Sequence, residues 1–146
     1  MSNPFASLLL NGIKTIETRN SDIFGPHAGK RLLIQVGRRP WKDDHYLERL
    51  RARGMSQAEI DRACSLPVGF SPGDIVGIAT IGDTKLMSRE QRKAVEVQVV
   101  ATCDDMGKFG TPVMDALWLK QPVKNVPGRP GIFSVATPSE LKSSES

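Results

Sequence analysis

Three charged residues fall within six positions in the stretch NGIKTIETR, residues 11–19: Lys14, Glu17 and Arg19. An ammonium and a guanidinium group hold anionic or polar ligands through charge-assisted hydrogen bonds, and a carboxylate between them orients them or accepts protons. The same residues would also suit an exposed strand whose charges pair with one another, and composition leaves that choice open. Arg38 and Arg39 follow the apolar run RLLIQVG (31–37), at the kind of strand exit where functional groups gather. They are candidate phosphate ligands, with solvated charges as the alternative. Trp41 follows a proline and precedes a helical pattern, so it either packs onto that helix or stacks on a base. Trp118 reads as a core residue, and Lys42-Asp43-Asp44 as the acidic first turn of a helix. Arg129, in the turn-rich VPGRPG (126–131), either overhangs a cleft or belongs to a plain connector.

Other chemistry has little support. His27 and His45 have no companions at metal-ligand spacing. Cys64 and Cys103 have no CxxC partner, which excludes a zinc ribbon and a disulfide framework and predicts two reduced thiols. No metal and no cofactor is expected.

The elements that must position these residues follow from pattern. Residues 3–11 predict a short helix with Asn3 as N-cap, Pro4 in the first helical position, an apolar stripe of Phe5, Leu8 and Leu9, and Gly12 as its stop. KTIETR (14–19) has strand-like residue types, with Thr15, Glu17 and Arg19 on one face. Strands are predicted over 31–37, 74–82, 113–119 and 131–137. Helices are predicted over 43–54, ended by Gly54, and over 57–64, opened by a Ser56/Glu59 capping box. Residues 88–98 are read as a helix begun by Ser88 and Gln91, although VEVQVV alternates like a strand. The mixture predicts an α+β fold: a small barrel with flanking short helices, one domain over residues 1–138, and a polar tail over 139–146.

The chain has 146 residues, 39% of them apolar and 25% charged, which is ordinary for one globular domain. No apolar run reaches the roughly 20 residues of a membrane span, and MSNPFASLLLNG lacks the charge and apolar length of a signal peptide. A cytoplasmic protein with no membrane association is expected, a nuclear one being the alternative. Between Lys30 and Arg62 nine basic residues face five acidic ones, a surplus equal to the whole net charge of +4. A local surplus of this kind suits a polyanion such as nucleic acid.

GIKTIETR (12–19) resembles the Gly-x-Lys-x-x-Glu-x-Arg signature of the ASCH domain family, whose β-barrel is similar to PUA RNA-binding domains. NPFASLLLNG looks like that family's opening helix. VGRRPWKDD (36–44), the helix pair 43–64, VGIATIGDT (76–84) and WLKQPV…PGIFSV (118–135) extend the likeness over residues 3–137. The resemblance implies a cleft between barrel and helices in which Lys14, Glu17 and Arg19 meet, and an RNA or modified-nucleoside ligand. Some small bacterial members hydrolyse N4-acetylcytidine and some are ribonucleases. Those amidohydrolases match this chain at Lys14 but carry a Thr nucleophile where it has Glu17, and Thr15 and Thr18 only flank that position. A carboxylate there is a candidate base and not the same nucleophile. The family usually begins with a strand ahead of the NPFA segment, where this chain has only Met1 and Ser2, so the expectation is either a shortened form or a barrel that lacks an edge strand and leaves its neighbours unpaired.

The resulting expectation is an RNA or modified-nucleoside binding domain. Its ligand would be held by Lys14, Glu17, Arg19, Arg38, Arg39 and Trp41, with the basic segment 30–62 following a single-stranded backbone. The alternatives are a metal-independent hydrolase on RNA or a modified nucleoside, with Lys14 and Glu17 as its acid–base pair, and a module for a protein partner presented by residues 43–64. The oligomeric state is left open.

Overall fold

The apolar stripe near the start of the chain becomes helix α1, Phe5–Leu10, with five of its residues buried. In the computed structural model the described residues are 1–39, 41–100 and 107–128. Pro4, not Asn3, occupies the N-cap position. Asn3 still serves the helix end: its Oδ1 accepts from the Ser7 nitrogen at 3.1 Å and the Ser7 hydroxyl at 2.7 Å. Its Nδ2 donates to the carbonyl of Cys64, 61 residues later in the chain, at 2.8 Å. Gly12 ends the helix at φ +76, a backbone conformation that side chains disfavour.

Strand β1 spans Ile16–Arg19, β2 Arg31–Gln35 and β3 Ile75–Ile81. Helix α2 covers His45–Ala52 and α3 Gln57–Cys64, the latter opened by the expected Ser56/Glu59 capping box. The two-residue strand β4, Lys85–Leu86, has too little pattern to be read from sequence. The helix expected over 88–98 is present in two pieces, α4 Arg89–Ala94 and α5 Glu96–Val99, broken at Val95. The Ser88/Gln91 capping box opens α4 as expected. The strand expected at 113–119 is longer, β5 Phe109–Val123. The strand expected at 131–137, the tail and Arg129 lie outside the described residues.

All pairings are antiparallel, and the order is β1-β5-β3-β2 with β4 on β5. The fold is therefore α+β, as expected, but the sheet formed by the described strands is open rather than a closed barrel. Two register shifts and Asp115 at φ +50 let β5 serve β1 with its first half and β3 with its second. The edge expected near the chain start is paired at one point. The Met1 nitrogen donates to the Gln35 carbonyl at 2.9 Å and the Met1 carbonyl accepts from Gly37 at 2.8 Å, bracketing Val36.

Helix α1 separates two apolar clusters. Leu9 and Leu10 pack on the sheet with Ile34, Val36, Val76 and Ala79, while Leu8 faces Leu50, Ile60, Ala63 and Val100. Gly77 in β3 permits the first contact: a Cβ there would collide with Leu10 and lie 2.8 Å from the Leu117 carbonyl oxygen. Helix α1 is thus pressed onto the sheet, which fixes the start of the charged segment that follows it.

Candidate functional site

The segment after Gly12 sends its charged residues to two different places. Lys14 is only 3% exposed, and its Nζ donates to the Val99 carbonyl, the last of α5, at 2.5 Å. The Phe5 ring lies 5.4 Å from Nζ. Burial holds the Lys14 pKa below its ordinary value, with the Glu17 carboxylate raising it and the Arg19 guanidinium lowering it further. The Thr15 nitrogen donates to the Gln98 carbonyl at 2.9 Å, so two terminal carbonyls of α5 are closed by the chain leading into β1. Val100 follows in a left-handed conformation, φ +61, which a β-branched residue rarely adopts.

Glu17 and Arg19, two apart on β1, line a cavity of about 960 Å³. Glu17 is 9% exposed. Its Oε1 accepts from the Thr18 nitrogen at 3.1 Å and stands 4.0 Å from the Arg19 Nε. Its Oε2 is buried and has no hydrogen-bond partner among the described residues, and neither has the buried Nε of Arg19. The Arg19 guanidinium also sits over the Phe24 ring, 5.8 Å from its centroid. A carboxylate oxygen and a guanidinium nitrogen of neighbouring side chains, both buried without hydrogen-bond partners among the described residues, are costly to fold around.

Arg38 and Arg39 also line the cavity, as does Arg31. The Arg38 guanidinium lies against Gly73, whose Cβ, if present, would be 2.9 Å from the Arg38 Nε. Gly73 holds φ +94, so a glycine serves both the turn and the close approach. Arg31 donates to the Thr80 hydroxyl at 2.8 Å. The structure therefore brings together Glu17, Arg19, Arg38 and Arg39. Lys14 is not among the residues that line the cavity.

Trp41 also lies elsewhere. It is 45% exposed, meets Phe5 edge-on at 5.0 Å, and donates from Nε1 to Asp43 at 3.1 Å. Phe5 meets Tyr46 of α2 in the same manner at 5.9 Å, so Trp41 extends an aromatic packing cluster. Trp118 is partly buried against the sheet core, edge-on to Phe70, with its indole nitrogen donating to Asn11 at 2.9 Å. Cys64 has its pKa pushed up to about 11 by burial and by Asp61, which favours the protonated thiol near neutral pH. Among the described residues no three His, Cys, Asp or Glu gather at metal-binding distance. None of the described helices is long and apolar enough to cross a membrane.

Sequence reasoning missed Thr111. It is 1% exposed, lines the cavity, and is the register partner of Glu17 on β5. Its hydroxyl lies 2.7 Å from that of Thr84. In sequence it is a threonine before a proline, outside the strand expected over 113–119, and only the pairing of β5 with β1 reveals its position. No protein-family model matches the chain.

Proposed function

We propose that the protein is a binding module for RNA or a modified nucleoside, taking a nucleobase into the cavity beside Glu17 and the attached phosphate onto the surrounding arginines. The observation that carries this reading is the buried Oε2 of Glu17, without a partner among the described residues, in a cavity also lined by Arg19, Arg31, Arg38 and Arg39. Such a wall has an acceptor for a base N–H and cations for a phosphate. The volume of about 960 Å³ falls in the range of small-molecule sites. The signature GIKTIETR supports a relation to the PUA-like ASCH family, and an antiparallel sheet with short helices is compatible with that relation. An RNA ligand would put the protein in the cytoplasm or nucleus.

Hydrolysis has less support. Lys14, the residue nearest to an acid–base role, is buried with its Nζ donating to the Val99 carbonyl and is not among the residues that line the cavity. The test is to titrate fluorescent single-stranded RNA and N4-acetylcytidine into the protein, following binding by anisotropy and calorimetry and turnover by chromatography. Binding without turnover is expected, weakened about tenfold or more by Arg19→Ala. No binding of either ligand would refute the reading, and turnover would replace it with the hydrolase.

A further inference from the structure

The polar wall of the cavity has a direction. Glu17, ionised, can only accept hydrogen bonds, and its Oε2 has no donor among the described residues. Arg19, whose Nε stands 4.0 Å from Oε1 of Glu17, can only donate, and that nitrogen too is unengaged among the described residues. Thr111 lies directly across from Glu17 in the β1–β5 register, and paired residues of this kind have Cβ atoms about 5 Å apart on one face. The Thr111 hydroxyl is buried with Thr84 2.7 Å away, whereas Thr84 is only half-buried. If Thr111 donates to Thr84, the Thr84 proton turns to water and no buried proton is stranded. In the opposite direction Thr111 still keeps one lone pair beside its proton, so its oxygen can accept from the cavity either way. Thr111 therefore offers the cavity a lone pair. Two acceptors, Thr111 and Glu17, stand next to one donor, Arg19.

Resting on the binding reading above, we propose that the cavity selects guanine, with Thr111 as the residue that determines this specificity. Guanine alone among the common bases carries two adjacent donors, N1–H and the N2 amine, followed by an acceptor, O6. Glu17 accepts from N1–H, Thr111 from the N2 amine, and Arg19 donates to O6. Cytosine and adenine present one donor beside a ring acceptor, and uracil presents one donor between two carbonyls, so each matches two of the three groups. The phosphate of the nucleotide falls to Arg38 and Arg39.

Guanosine and inosine monophosphates differ only in the N2 amine, which makes them the deciding pair. Calorimetric titration of the full chain should give about tenfold tighter binding of the guanosine nucleotide. Thr111→Val should remove that ratio while leaving inosine monophosphate bound as before. Thr111→Ser, which restores the lone pair, should bring the ratio back, separating recognition from packing if the valine variant is unstable. Glu17→Gln should weaken both nucleotides. Equal binding of the two by the unmodified protein, or a ratio that Thr111→Val leaves intact, overturns the guanine assignment while the binding reading survives. Binding of single-stranded RNA without either nucleotide also overturns it. Failure to bind any nucleotide or RNA removes the binding reading itself and this inference with it.

Discussion

Lys14 and Glu17 are three residues apart, both charged and both buried, and the structure treats them in opposite ways. The ammonium of Lys14 is sealed against a helix-end carbonyl and an aromatic ring. The carboxylate of Glu17 stands in a cavity wall with one oxygen unclaimed among the described residues. Burial of a charge therefore does not by itself mark a site. What distinguishes the two is whether the surrounding chain satisfies the group. Lys14 closes α5 and so acts as part of the scaffold, whereas Glu17 retains hydrogen-bonding capacity that only something outside the described chain can use. If this contrast is right, replacing the two residues must have different consequences, and stability and binding must respond separately.

The largest effect is expected at Lys14. Lys14→Ala strands the buried Val99 carbonyl and empties the space of a long side chain, and should cost about 3 kcal/mol or more in denaturant unfolding. Glu17→Gln should stay within about 1 kcal/mol of the parent, or exceed it, because it removes a poorly compensated buried charge. Comparable large losses in both variants would erase the distinction and make Glu17 a scaffold residue as well.

The second test is pH. The Lys14 pKa is lowered in the folded state, chiefly by burial, so between its folded and unfolded values the unfolded chain binds the extra proton. Its contribution to stability accordingly rises as pH increases toward the ordinary lysine value of 10.5. Cys64 acts the other way: its thiol is raised from 9.0 to about 11, so the unfolded chain loses that proton first and stability falls through this window. The two are separated by comparison with Lys14→Met, which keeps the apolar stem. The stability lost in Lys14→Met should grow from neutral pH toward pH 10, and a flat difference would mean that folding does not lower the Lys14 pKa.

A third test concerns the cavity rim. Gly73→Ala places a Cβ at φ +94, and that Cβ meets the Arg38 guanidinium. The strain should cost about 1–2 kcal/mol in thermal unfolding and displace Arg38. No loss would mean that the turn relaxes freely and does not fix Arg38.

Much of the scaffold was legible in the chain because its signals are local. The Ser56/Glu59 and Ser88/Gln91 capping boxes, the stop at Gly12 and the apolar run of β3 each act within a few residues, and the structure has all of them. The alternation of KTIETR correctly placed Glu17 and Arg19 on one face. What was not legible depends on pairing across the chain. The fate of Lys14 is decided by Val99, 85 positions away, and the importance of Thr111 by its register with β1. The ambiguity of residues 88–98 had a physical basis: the segment is helical, but Val95 breaks it into two short helices. Trp41 followed its aromatic neighbours and not the cavity, because Phe5 supplies a ring at packing distance.

The smallest effect on stability, and the most specific on binding, is expected at Arg38. Its side chain is exposed and lies against Gly73 outside the apolar clusters, so Arg38→Ala should shift unfolding by no more than about 0.5 kcal/mol. Binding of a short single-stranded RNA should nonetheless weaken, and in a characteristic way. Each phosphate neutralised on a single strand contributes about −0.7 to the slope of log K against log salt. If Arg38 and Arg39 each meet one phosphate, they account for about −1.4 of the slope, and Arg38→Ala should remove half of that. Glu17→Gln should lower affinity at every salt concentration without changing the slope, because a carboxylate reading a base edge releases no counterion. The two variants thus separate the charged rim from the cavity wall in one titration series. A slope unchanged by Arg38→Ala would assign the phosphate contacts to other arginines, and a slope altered by Glu17→Gln would show that the carboxylate acts on the backbone and not on the base.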